Sequence, residues 1–163
     1  MKKVIIVSVM VLVVGMAYAS SIAIPWFVDN AAPGAGSPPS AGVMTLIYLK
    51  SNVVDDLTCE ITYYSATGID LGPVSPDNQF LIPALSSVAF RPVQDDPSSV
   101  PGGQESAVAV LIPNRPTDVD PKKNGSASIS WVGEATDVQG IAVQMGNVGG
   151  KTFSFGHLLP PGA

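Results

Sequence analysis

Two hydrophobic patterns divide the chain. Residues 4–16, VIIVSVMVLVVGM, form a continuous apolar run interrupted only by Ser8 and Gly15. Lys2 and Lys3 precede it, and Ala17-Tyr18-Ala19 follows. A basic start, an apolar centre and a small-residue A-x-A end predict a cleavable secretory signal peptide over residues 1–19, with Ser20 as the new N-terminus. The apolar centre is short for a membrane span, which takes roughly 20 residues. The alternative is a retained anchor, since Ile22, Ala23, Ile24, Trp26 and Phe27 prolong the apolar stretch. Pro25 opposes a helix running that far.

Past the leader the apolar period becomes two. In residues 57–65, LTCEITYYS, one face carries Leu57, Cys59, Ile61 and Tyr63, and the other carries Thr58, Glu60, Thr62 and Tyr64. That alternation predicts a half-buried strand, closed by a turn at Ala66-Thr67-Gly68. Residues 126–132 alternate in the same way, with Ala127, Ile129 and Trp131 on one side and serines on the other. Further strands are predicted at 43–51, 107–112, 141–145 and 152–158. In the last of these Phe153, Phe155 and His157 share a face, expected at the edge of a core. Residues 78–82 and 87–92 are expected to pair as a hairpin around Pro83-Ala84-Leu85-Ser86. Asn124-Gly125 reads as a turn, although Asn124-Gly125-Ser126 also fits a glycosylation sequon.

Residues 21–30, SIAIPWFVDN, form a strand-like arm. Strict alternation places Ile22, Ile24, Trp26 and Val28 on one face, the candidate interaction face, and Ala23, Pro25, Phe27 and Asp29 on the other. Residues 31–42, AAPGAGSPPSAG, offer nothing to bury and predict an extended linker. The organisation expected is therefore a signal peptide at 1–19, an arm at 20–30, a linker at 31–42 and a domain at 43–163. No window past the leader has a useful helical stripe, and 15 prolines are spread along the chain. Some seven to nine short strands separated by turns predict an all-β, antiparallel β-sandwich.

The succession LTCEITYYSATGIDLGP, FLIPALSSVAFRP and SASISWVG resembles the immunoglobulin-like modules of bacterial exported proteins. There, a strand with a Tyr-rich end and a Gly turn precedes a segment of the form apolar-x-Pro-x-x-Ser-x-apolar. The resemblance covers about residues 43–133 and implies a single immunoglobulin-like sandwich. It carries over no catalytic or binding residue, because such modules share architecture across many roles. The cysteine pair of antibody domains has no counterpart, since Cys59 is the sole cysteine.

Charge narrows the class of partner. The formal charge is −5, and it falls to −7 once Lys2 and Lys3 are removed. Nucleic acid and anionic membrane surfaces recruit clustered Lys and Arg, so neither is expected as a partner of the cleaved chain. A protein partner, or a second copy of the chain, is compatible with this balance.

Candidate chemistry is sparse. His157 is the one histidine and has no marked nucleophile to serve; Ser154 lacks the setting of a nucleophile elbow. Cys59 lies on the apolar side of its strand, where a thiol is inert. Asp118 and Asp120 begin a segment like a calcium loop, but Lys122 and Lys123 occupy its fifth and sixth positions, where an oxygen ligand and Gly belong. One His and one Cys cannot close a transition-metal site. No catalytic residue and no cofactor is therefore expected. The function expected is an exported, secreted or periplasmic, non-enzymatic structural or binding module of the bacterial envelope or extracellular space. One alternative is a self-assembling surface-fibre subunit that donates residues 21–30 as a strand to its neighbour. Another is a secreted hydrolase built on an Asp/Glu pair from the long loops.

Overall fold

Alternating sequences become strands because each can bury one face and leave the other wet. The computed structural model describes residues 19–32, 35–92, 112–116 and 124–160. Among them the strands are β1 (Ala19–Val28), β2 (Gly42–Ser51), β3 (Leu57–Tyr64), β4 (Asp70–Gly72), β5 (Gln79–Ile82), β6 (Ser87–Phe90), β7 (Asn124–Val132), β8 (Val138–Val148) and β9 (Lys151–Leu159). The helical content of these residues is one 3₁₀ turn, Ala135–Asp137.

The strands form two antiparallel sheets. The first has the order β1-β7-β3-β4, with β5 also paired to β3. The second has the order β6-β2-β8-β9. Their apolar faces meet in one core. Ile22, Ile24, Cys59, Ile61, Tyr63, Ile82 and Ile129 enter it from the first sheet, and Ile47, Leu49, Val88, Phe90 and Ala142 from the second. Each fully buried aliphatic side chain of this kind contributes about 1.5–3 kcal/mol. The chain is thus all-β and sandwich-like, and the inward faces expected of 57–65 and 126–132 are the ones observed.

Several local expectations need correction. Residues 78–82 and 87–92 do not pair with each other: β5 joins β3 in the first sheet, and β6 joins β2 in the second. The connection between them crosses the sandwich, held there by the end of β2 and the β2–β3 loop. Asp56 Oδ1 accepts the Ala84 N–H at 2.9 Å, Val53 O accepts the Leu85 N–H at 2.9 Å, and Lys50 Nζ donates to Leu85 O at 2.8 Å. Asn124-Gly125 is no turn either but the start of β7, where Asn124 faces Val28 and Gly125 faces Phe27. Phe153, Phe155 and His157 do share a face, yet they lie outside the core. Their face of β9 continues past the first sheet, leaving Phe153 38% and Phe155 53% exposed. The linker has some burial of its own, at Ala31 and Pro39. The strand expected at 107–112 lies outside the described residues except for Ile112, which joins the core.

Candidate functional site

The arm is the feature that sequence reasoning singled out, and it is an integral strand. β1 runs antiparallel to β7 of the same chain, from Ala19 opposite Val132 to Val28 opposite Asn124. Its pairing shifts between Ile24 and Phe27, where Pro25 and Trp26 together oppose a single residue of β7. Pro25 has no N–H to give the ladder, so a bulge there loses little. The bulge reverses the facing. Ile22 and Ile24 point inward as expected, but Phe27 replaces Trp26 in the core and stands edge-on to Tyr63 at 6.2 Å. Trp26 is 43% exposed, and Val28 is half-buried. The four-residue apolar face expected at Ile22, Ile24, Trp26 and Val28 therefore does not exist as one surface.

Past the bulge the arm is fastened to the second sheet. The Thr45 hydroxyl accepts the Val28 N–H at 3.1 Å and donates to Val28 O at 2.9 Å. Asn30 Oδ1 accepts the Val43 N–H at 2.7 Å, and the N–H groups of Asn30 and Ala31 donate to Val43 O. Asp29 is fully buried and grips Arg91, itself 4% exposed: Nε donates to Oδ2 at 3.0 Å and Nη2 to Oδ1 at 2.5 Å. Two parallel bonds between planar groups make this the strong, orienting form of an ion pair. Arg115 is also buried, and its charge acts on Tyr63, whose hydroxyl donates to Pro113 O at 2.9 Å. Burial raises the Tyr63 phenol well above its ordinary range, and the Arg115 charge offsets part of that. Sequence reasoning missed this polar cluster. The sequence shows an Asp and an Arg each at the end of an apolar run, in VDN and in FRP, but not that the two meet.

The remaining candidates are not brought together. His157 is exposed on β9, opposite Ala142. Cys59 is buried between Leu57 and Ile61, and burial pushes its thiol from 9.0 up to about 12. Asp118 and Asp120 lie outside the described residues. Among the described residues, no group of three or more His, Cys, Asp and Glu side chains is placed to hold a metal ion. A depression of about 480 Å³ lies on the outer face of the first sheet, over Thr58, Glu60, Gln79 and Ser130. Ser21, Ser130, Glu60 and Gln79 form one polar row across four strands. Gln79 Nε2 donates to Glu60 Oε1 at 2.9 Å within that row.

The chain matches no family model, no curated protein and no solved structure.

Proposed function

We propose that the protein is an exported, non-enzymatic module with an immunoglobulin-like core, acting by binding or as a structural part outside the cytoplasm. The observation that carries this reading is where the domain begins. Ile22, Ile24 and Phe27 are wholly buried in the core. They are therefore not available to lengthen the apolar leader. What remains, residues 4–18, is 15 residues long. As a helix it reaches about 22 Å, against the roughly 30 Å of a bilayer core. No spacer separates it from β1. Such a leader suits removal after Ala19 better than retention as an anchor.

The immunoglobulin-like reading rests on the middle of the chain. β2 pairs with β6 in one sheet while β3 pairs with β7 in the other. This interlocked arrangement matches the B–E and C–F pairs of immunoglobulin domains. The outer strands depart from that pattern. β1 takes the place beside β7 where the last strand would run, and β8 the place beside β2 where the first would. The non-enzymatic reading is supported by the duties of the reactive groups. Asp29 and Arg91 neutralise each other, and Cys59 is held as a thiol. Donation of residues 21–30 to a neighbour is the rival mode of action. It would have to break the Asp29–Arg91 pair and the bonds of Asn30 and Thr45, so the contacts favour the arm staying at home.

Intact mass of the protein in each cell fraction tests the proposal. Protein lacking residues 1–19, recovered outside the cytoplasm, is the expected result. A full-length mass confined to the membrane or the cytoplasm would overturn it.

A further inference from the structure

We propose that β9 is an association edge, pairing antiparallel with β9 of a second copy about a twofold axis at Phe155. This goes beyond the functional reading above and holds whichever compartment the protein occupies.

An exposed strand edge is normally blunted by Pro, by a bulge or by brevity. β1 carries the Pro25 bulge, β4 is three residues long and runs into Pro73, and β5 and β6 are four residues each and run into Pro83 and Arg91-Pro92. β9 also runs into a proline, Pro160, but among the described residues it is the edge strand that is both long and unbulged. It is nine residues long and holds no proline. Its side chains stay exposed as far as Leu158, which is 79% exposed. Phe153 and Phe155 stack at 6.2 Å on a face the first sheet leaves uncovered.

Charge marks the same surface. All 13 acidic residues precede Val138, so residues 138–160 carry no carboxylate side chain, with Lys151 and His157 as their only basic groups. On an acidic molecule this is where two copies meet without repulsion. Aromatic enrichment with depletion of charge is also the composition of an interface centre.

The geometry fixes the register. The β8–β9 hairpin turns on Gly149 and Gly150, at φ 61° and 77°. A two-residue turn of this kind makes Val148 and Lys151 a hydrogen-bonded pair. Bonded and non-bonded pairs then alternate. Lys151, Phe153, Phe155, His157 and Leu159 bond to β8, while Thr152, Ser154, Gly156 and Leu158 turn their N–H and C=O groups outward. Only an axis at Phe155 matches this outward set with itself completely. Thr152 then pairs with the partner's Leu158, and Ser154 with the partner's Gly156, giving about eight hydrogen bonds. Phe155 meets its own counterpart, Phe153 meets the partner's His157, and Lys151 meets the partner's Leu159. No like charges face each other. The edge is about 30 Å long, and two copies bury on the order of 900 Å². That is just below the area of stable complexes, so the dimer is weak and follows concentration. Insertion into lipid is disfavoured, because it would leave the outward backbone groups without partners.

Sedimentation of the purified protein, over a concentration series reaching about 1 mM, tests the proposal. A monomer–dimer equilibrium is expected. F155K removes an aromatic pair and opposes two cations at the axis, weakening association at least about tenfold. S154P removes an outward N–H without touching a bond to β8 and has a similar effect. V132K, on the outer face of the first sheet, leaves association unchanged. An equimolar mixture of F155K and F155E associates again, because opposite charges then meet, and this holds even if S154P fails to fold. A single monomeric species across the series overturns the proposal. So does association insensitive to F155K and F155E, or binding to neutral lipid vesicles or unrelated extended peptides without self-association.

Discussion

Cys59 shows what burial does to a reactive group. Its thiol sits in β3 with Leu57 and Ile61 on the same inward face, and its titration is displaced from 9.0 to about 12. At neutral pH it is therefore protonated, and a thiol reagent will label it rapidly only after unfolding. Equal labelling rates in native and denatured protein would show that the inward facing of β3 is wrong. The pH dependence has a definite sign. A folded-state value raised above the unfolded one binds the proton more tightly in the fold. Stability from this source is complete below pH 9.0 and declines as pH rises towards 12. The raised Tyr63 phenol acts in the same direction. Asp29 and Arg91 pose the opposite case, a charge kept by being paired. Removing one partner leaves a buried charge alone, so Asp29→Ala should cost about 3–5 kcal/mol in denaturant unfolding. A loss below about 1 kcal/mol, the range of exposed pairs, would contradict the buried geometry. The inward position of Cys59 was legible because alternation in 57–65 is unbroken. The Asp29–Arg91 pair was not, because its partners stand 62 residues apart and pattern along the chain carries no record of that meeting.

Among the elements, β1 and β7 depend on one another at the bulge. A Cβ on Gly125 would lie 2.1 Å from the carbonyl oxygen of Tyr64 on β3, and a backbone atom cannot rotate away. Gly125→Ala should therefore destabilise the protein by about 1–3 kcal/mol, read from the denaturant midpoint, as overpacking does elsewhere. An unchanged midpoint would mean that β7 does not approach β3 there. Leu85 has φ 53° in the crossing connection and is 55% exposed. Leu85→Gly should raise stability by up to about 1 kcal/mol, since an L-residue is disfavoured in that conformation. Strand existence was readable at this scale; strand partnership was less so. The segments of β5 and β6 have the spacing of a hairpin, and contacts from Lys50, Ser51, Val53 and Asp56 hold the connection between them as it passes to the other sheet. The phase of β1 was lost for a related reason. A bulge adds one residue, and period-two reasoning has no means of counting it.

On the scale of the molecule, the N-terminal arm is part of the domain, paired with β7 and buried in the core. The position of β1 beside β7 gives the apolar segment at residues 22–27 a place in the core. Deleting residues 20–30 and following thermal unfolding by circular dichroism tests this most directly. The deletion removes Ile22, Ile24 and Phe27, each contributing about 1.5–3 kcal/mol, together with the partner of Arg91. That loss approaches or exceeds the usual 5–15 kcal/mol stability of a domain. The truncated chain should show no cooperative transition, or one lowered by tens of degrees. A truncated domain that melts as the intact one does, or that forms a stable complex with a synthetic peptide of residues 21–30 while the intact protein forms chains, would contradict the account.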